Sequence, residues 1–149
     1  MDNKISLANN CNSECHDIFD SMADAPIPSA PPTNALDNTA IVDSGTTGHF
    51  LHCTNVCSNR QIARSPLSVT LPDGSRIHST HTALLSLPNL PDGALRAHIF
   101  PNLRSGALLS VSQLCDHDCS VRFDADKVTV TSQNRIILTG PWNRTNGLW

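Results

Sequence analysis

The chain has 149 residues, which is enough for one domain and a tail but too few for two separate hydrophobic cores. Aromatic residues make up 4% of it, Tyr is absent, and ten Pro and seven Gly residues favour strands and turns over long helices. The net charge is −3. The sequence has no clustered basic face, no apolar run long enough to span a membrane and no signal peptide. We therefore expect a soluble cytoplasmic protein that binds neither nucleic acid nor membrane directly.

The first 38 residues have the composition of a disordered leader. Residues 1–39 contain six acidic residues and one basic residue, whereas residues 40–149 contain seven acidic and nine basic residues. Four prolines lie between positions 26 and 32. Because such a segment has little apolar surface to bury, we predict a disordered acidic, proline-rich leader at 1–38 and a folded domain over 39–149.

The domain is predicted to be all-β with one short helix. Residues 39–42 form an apolar strand, and residues 50–65 suggest a strand followed by a loop. Apolar residues at 108, 109, 111 and 114 have helical spacing and predict a helix over 108–115. Other strands are expected at 67–71, 76–80, 82–87, 94–100, 120–123, 128–130 and 135–138.

Asp43-Ser44-Gly45 is the most informative motif, because it directly follows the apolar strand at 39–42. Aspartic proteases present their catalytic acid in this way, with the carboxylate at the end of a hydrophobic strand. The glycine permits a sharp backbone turn, and the serine hydroxyl can hold the loop. The structural alternative is an Asx-turn that only ends the strand.

Three blocks of sequence are similar to one known family. They are residues 41–50, which contain the Asp-Ser-Gly motif, residues 99–114, and residues 137–140 together with 147–149. The chain resembles the protease region of copia-type retrotransposon Pol polyproteins, a distant relative of retroviral proteases. This resemblance implies a small retropepsin-like acid-protease barrel. It also implies an aspartic endopeptidase that cleaves the Gag–Pol polyprotein without a cofactor, in the cytoplasm or inside virus-like particles.

By the same resemblance, Asp43 is the catalytic residue of an active-site loop. Ser44 would bond across a dimer axis, Gly45 would permit the turn, and Thr46 would lie beside the incoming peptide. Peptide hydrolysis by this chemistry needs two neighbouring carboxylates that share one proton. Since the chain has a single Asp-Ser-Gly, we predict a homodimer in which each subunit contributes one Asp43.

Two further segments are assigned by the resemblance. The turn sequence Pro72-Asp73-Gly74-Ser75 favours a β-hairpin and falls where a retroviral protease carries its flap, although an ordinary surface hairpin is the alternative. Residues Leu108, Leu109 and Ser110 correspond to the apolar-apolar-Gly turn that supports the active-site loop in retroviral enzymes. Serine stands here in place of that glycine, and copia-type sequences also tend to have this replacement.

The six cysteines form three pairs, each with three residues between its members. Zinc sites use two to four intervening residues, so a zinc-dependent binding module is one alternative function. We instead predict free thiols and no metal, because the first pair lies in the leader and the third straddles a predicted helix–strand junction. The pairs are Cys11/Cys15, Cys53/Cys57 and Cys115/Cys119, with His16, His49, His52 and His117 nearby.

A second alternative is a non-catalytic remnant of such an element. The sequence lacks an RNA-binding knuckle and ends before any integrase or reverse-transcriptase segment. A truncated or domesticated copy of this kind would act only in self-association or peptide binding.

Overall fold

The computed structural model describes residues 39–145, 147 and 148. The predicted leader at 1–38, with the pair Cys11/Cys15, lies outside the described residues. Within the described part of the chain, no helix is long and apolar enough to cross a membrane.

Strands make up most of the described structure, together with one short α-helix, so the all-β prediction is confirmed at that level. A 3₁₀ helix covers Asp92–Leu95, and the α-helix α1 covers Val111–Asp116. The strands are β1 (Ala40–Asp43), β2 (His49–Leu51), β3 (Cys57–Ile62), β4 (Ser68–Thr70), β5 (Arg76–His78), β6 (His81–Leu85), β7 (Arg96–Ile99), β8 (Ala107–Ser110), β9 (Cys119–Phe123), β10 (Lys127–Ser132) and β11 (Arg135–Pro141).

The strands form three sheets of different size. The largest has six strands in the order β1-β8-β2-β7-β6-β3, the second has three in the order β11-β10-β9, and β4 pairs only with β5. Within the largest sheet, β1 runs parallel to β8 and β2 runs parallel to β7. The register of the first pair sets Asp43 opposite Ser110, so the ends of β1 and β8 lie side by side.

Two hydrophobic clusters hold the sheets together. The main cluster includes Leu51, Leu109 and Leu114, all fully buried, and draws on the six-stranded sheet, α1 and the three-stranded sheet. The second cluster consists of Phe50, Ile77, Phe100 and Leu103 and lies beneath the β4–β5 hairpin. Full burial of a side chain of this size stabilises the fold by about 1.5–3 kcal/mol, so these clusters fix the positions of the strand ends.

The helix is shorter than predicted and begins later. Residues 108–110 belong to β8, and the helix starts at Val111, after Ser110 as its N-cap. Leu108 pairs with Ile41 of β1 and with Phe50 of β2, so β8 lies between two neighbouring strands. An apolar run buried inside a sheet has the same composition as a short helix, which explains the error.

Two other predictions need similar corrections. The expected loop within residues 50–65 contains strand β3. The strand expected at 94–100 begins only at Arg96, because Asp92–Leu95 forms the 3₁₀ helix.

Candidate active site

Asp43 is the last residue of β1, where the chain leaves the six-stranded sheet. Ala40 and Val42 of the same strand are buried, which anchors the strand in the core. Asp43 itself is partly exposed, and Ser44 and Gly45 after it are exposed. The strand therefore carries a carboxylate to the surface at a fixed point of the fold.

The Asp43 carboxylate is oriented by the loop that follows it. Its Oδ1 accepts a hydrogen bond of 2.7 Å from the backbone N–H of Gly45. A Cβ on Gly45 would lie 3.2 Å from the same oxygen, which is closer than most such contacts. Glycine thus allows the backbone to approach the carboxylate closely. This bond is also that of an Asx-turn, so by itself it does not distinguish the two interpretations.

The loop is tied to the end of β8 by Ser110, which is fully buried. The Ser110 Oγ donates a 2.6 Å hydrogen bond to the backbone carbonyl of Thr46. The hydroxyl of Ser112 donates to the same carbonyl over 3.1 Å. Ser110 also caps α1 by accepting from the Gln113 N–H over 3.2 Å. The predicted supporting turn at Leu108, Leu109 and Ser110 is therefore a strand end and a helix cap, and a side-chain hydroxyl makes the contact with the loop.

His49 joins the same network from the core side. The side chain is fully buried, its Nε2 lies 2.9 Å from the Ala94 carbonyl oxygen, and its Nδ1 accepts from the Ser110 N–H over 2.9 Å. Burial is the main cause that lowers the pKa of His49 to about 4, opposed by the Ala94 carbonyl and assisted by the nearby His117. The imidazole is neutral at physiological pH as a result.

Gln113 completes the network from α1. Its Oε1 accepts from the His49 backbone N–H over 3.0 Å, and its Nε2 donates to the Arg96 carbonyl over 2.7 Å. The side chain thus connects the residue that follows the loop to β7. The sequence-based prediction of the site included neither His49 nor Gln113. The sequence signal that could have identified His49 is its position directly before the apolar residues Phe50 and Leu51.

A single cavity joins the Asp43 loop and the hairpin. It has a volume of about 1190 Å³ and is lined by Asp43, Ser44, Gly45 and Thr46 on one side. Residues Pro72 and Asp73 of the predicted flap line it as well. Its remaining wall is mostly apolar and includes Phe50, Val69, Leu71, Ile77, Leu103, Leu108, Phe123 and Leu148.

The tip of the β4–β5 hairpin has the predicted turn. The Gly74 N–H donates to the Leu71 carbonyl, and Gly74 has a φ of +83°, which glycine adopts without strain. Asp73 Oδ1 accepts from both the N–H and the hydroxyl of Ser75. These two bonds are the main cause that lowers the pKa of Asp73, with a smaller contribution from Arg104. Gly74 and Ser75 do not line the cavity that contains Asp43.

Arg104 is the one basic residue on the cavity wall, among the residues described. It is exposed and precedes β8. Asp73 and Asp43 are the two carboxylates of the same wall, but Asp73 lies on the hairpin and is bonded to Ser75. The cavity of one chain thus presents one carboxylate at the end of a core strand.

Three of the described cysteines are free thiols, namely the buried Cys57 and Cys119 and the exposed Cys115. Among the residues that the structure describes, no group of three or more His, Cys, Asp or Glu side chains is arranged to hold a metal ion. Cys115 lies in α1 and Cys119 in β9, on either side of the helix–strand junction predicted for them. Burial raises the pKa of the Cys119 thiol, which favours its protonated form.

Comparison of the chain with protein-family models, with curated protein sequences and with solved structures gives no match.

Proposed function

We propose that two copies of this chain form an aspartic endopeptidase with a retropepsin-like barrel, and that Asp43 of each copy supplies one carboxylate of the catalytic pair. The observation that carries the proposal is the shared cavity, in which the Asp43 loop faces the hairpin predicted to be a flap. The resemblance of the three sequence blocks at 41–50, 99–114 and 137–140 with 147–149 to copia-type proteases supports the same function. The proposed substrate is a Gag–Pol polyprotein junction.

The mechanism follows from the chemistry of two adjacent carboxylates. Like charges at short separation do not both ionise, so the pair holds one proton. The ionised carboxylate takes a proton from a water molecule, which attacks the carbonyl carbon of the scissile peptide bond. The protonated carboxyl gives its proton to the carbonyl oxygen. As the tetrahedral intermediate collapses, the amine leaves with the proton that the first carboxylate took from water, and a hydroxyl of the intermediate returns a proton to the second carboxylate.

In this proposal the second carboxylate comes from another chain. Among the residues described, Asp73 is the other acid on the cavity wall, and it lies at an exposed hairpin tip with Oδ1 engaged by Ser75. Two-fold symmetry instead gives each Asp43 an identical partner with the same loop geometry. In such a dimer, the exposed Ser44 next to it would brace the two loops across the axis.

The cavity suits a peptide in extended conformation. Such a peptide would add a strand between the loop and the hairpin, with its side chains against the apolar wall. Closure of the hairpin would then exclude water from the reacting atoms. Thr46, which is held through its carbonyl, lies at the loop edge of this cavity.

The test compares the variants Asp43→Asn and Asp73→Asn on a Gag–Pol junction peptide. In Asp43→Asn the amide oxygen of the new side chain would still accept the Gly45 N–H, so the variant should fold while it loses the shared proton. We expect cleavage to be abolished by Asp43→Asn and at most slowed by Asp73→Asn, measured on protein shown to be dimeric by analytical ultracentrifugation.

Two results would contradict the proposal. One is equal cleavage by the wild type and Asp43→Asn, and the other is full activity in a strictly monomeric preparation. A dimer that binds the peptide without cleaving it would support the alternative of a non-catalytic remnant.

A further inference from the structure

His49 occupies a position that connects the core to the Asp43 loop. It is the first residue of β2 and follows Thr46, Thr47 and Gly48, which complete the loop. Its ring bridges the Ala94 carbonyl and the Ser110 N–H over 2.9 Å each. Ser110 in turn holds the Thr46 carbonyl over 2.6 Å. A displacement of the ring is therefore transmitted to the loop through one intervening residue.

The hydrogen bonds define which ring nitrogen carries the proton. The Ser110 N–H is a donor, so Nδ1 must be an acceptor and Nε2 must carry the hydrogen that bonds to the Ala94 carbonyl. In this neutral form both ring nitrogens are satisfied. A second proton would go to Nδ1, where it would face the Ser110 N–H, and two donors cannot share a hydrogen bond.

We propose that His49 is a positioning residue whose neutral ring clamps the Asp43 loop, and that uptake of a second proton at Nδ1 opens the clamp. The clamp itself stands on the contacts above, whereas its effect on catalysis rests on the proposed function. An aspartic protease works with a protonated pair, so acid conditions favour its chemistry. The clamp sets a lower pH limit to that activity, because acid also releases Ser110 and the loop.

Burial and the nearby His117 oppose a charge on the His49 ring, whereas the Ala94 carbonyl favours one. His117, at the end of α1, opposes a positive charge on His49 and lowers its pKa together with burial. Neither Asp43 nor any other acid is among the causes that shift this pKa. The titratable or charged residues on the elements around His49 are Asp43 on β1, Asp92 on the 3₁₀ helix, Arg96 and His98 on β7, and Cys115, Asp116 and His117 in or next to α1.

The sign of the pH dependence follows from the folded and unfolded pKa values of His49. The folded value is about 4 and the ordinary value is 6.5, so the unfolded chain takes up the proton first as the pH falls. The stability that the neutral ring provides is present above pH 6.5 and is lost as the pH falls toward 4. Across this window we expect the ratio of folded to unfolded protein to fall on the order of 100-fold through His49 alone.

The experiment measures denaturant unfolding of the full chain from pH 7 to pH 4 for the wild type, His49→Gln and His81→Gln. The glutamine amide supplies one donor and one acceptor but does not titrate. His81, whose ring Nδ1 lies 2.9 Å from the hydroxyl of the neighbouring Thr80, is the control. We expect the free energy of unfolding of the wild type and of His81→Gln to fall by the His49 contribution between pH 7 and pH 4. This part of the pH dependence should be absent in His49→Gln. A His49→Gln protein with the wild-type dependence would overturn the proposal.

Nitrogen NMR of the wild-type imidazole rings gives a second test that needs no variant. We expect Nε2 of His49 to be protonated and Nδ1 unprotonated at pH 7, with no charging until well below pH 6. A proton on Nδ1 at pH 7, or charging near the ordinary value, would overturn the clamp even if His49→Gln does not fold.

The catalytic consequence is tested separately by the pH profile of peptide cleavage. We expect the acid limb of the profile to move to lower pH in His49→Gln, at equal folded fraction, and to stay unchanged in His81→Gln. An acid limb that is unchanged in His49→Gln would reject the catalytic role. If no peptide is cleaved at any pH, the proposed function fails, while the unfolding and NMR results still decide the clamp.

Discussion

The loop that carries Asp43 and the hairpin across the cavity are held in opposite ways. The loop is bonded to residues far along the chain, since Ser110 and Thr46 are 64 positions apart. The bonds at the hairpin tip are local, between Leu71, Asp73, Gly74 and Ser75, and the last three residues are exposed. Local exposed bonds open at low free-energy cost, whereas bonds into a packed core do not. We therefore expect the Asp43 loop, which forms the floor of the cavity, to stay in place and the exposed hairpin tip, which forms its roof, to open more readily.

The hairpin is nevertheless anchored where it leaves the core. Ile77 is buried in the second hydrophobic cluster, and the backbones of Leu67 and Ser79 bond to each other at its base. The Leu67 N–H also donates to the Ser79 side chain, which is buried. We therefore expect movement of the β4–β5 hairpin to be confined to its tip. The proposed protease would require this division, because its Asp43 carboxylate would have to stay in place while the hairpin closes over a peptide.

The largest change in how firmly the Asp43 loop is held is expected from Ser110→Ala. This variant removes both the bond to the loop and the cap of α1. Loss of a helix cap and of a buried hydrogen bond should cost about 1–2 kcal/mol of unfolding free energy. The loop would lose its defined position, so kcat/KM for peptide cleavage should fall roughly tenfold or more. Denaturant unfolding and steady-state kinetics measure the two effects.

Ser112→Ala is the matched control for this change. Its hydroxyl reaches the same Thr46 carbonyl over a longer distance and is more exposed, so we expect a loss of only a few tenths of a kcal/mol. Equal losses of unfolding free energy in the two variants would show that the burial of Ser110 does not matter. They would contradict the conclusion that the buried Ser110 bond holds the Asp43 loop.

A smaller effect is expected from Gly74→Ala at the hairpin tip. The residue has a φ of +83° and no atom within 4 Å of an added Cβ, so the change strains the backbone without a collision. The left-handed conformation costs a non-glycine residue about 1–2 kcal/mol, which should fall mainly on the tip. Hydrogen exchange should become faster at the hairpin amides and stay unchanged at Ser110.

Asp73→Asn keeps this backbone conformation and serves as the control for the exchange measurement. Faster exchange at Ser110 in Gly74→Ala would contradict the separation of roof and floor, because strain at the tip would then reach the core.

Local signals made part of this architecture predictable. The Pro-Asp-Gly-Ser sequence specified its hairpin turn because Gly74 alone accepts that backbone conformation easily. The apolar strand before Asp43 likewise indicated that the chain leaves the core at Asp43. In both cases a few neighbouring residues determine the conformation.

Long-range contacts account for what the sequence did not reveal. Leu108 and Leu109 have the spacing of a helix, and only the pairing of β8 with β1 and β2 makes them a strand. The bond between His49 and Ser110 spans 61 positions, and Gln113 reaches back 64. No periodicity or turn signal contains such a pairing. The resemblance assigned Leu108, Leu109 and Ser110 to the support of the Asp43 loop, but the parts played by His49 and Gln113 became visible only in the folded chain.

The central claim is that two Asp43 carboxylates form one active site, and subunit mixing tests it most directly. Wild-type protein is mixed with an equal amount of Asp43→Asn protein, subunits are allowed to exchange, and peptide cleavage is compared with the same total concentration of wild type. If a site needs Asp43 from both chains, random pairing leaves about one quarter of the activity. An equal mixture with Asp73→Asn should retain most of it. A residual activity of about one half with Asp43→Asn would mean that each chain acts alone, and would contradict the account.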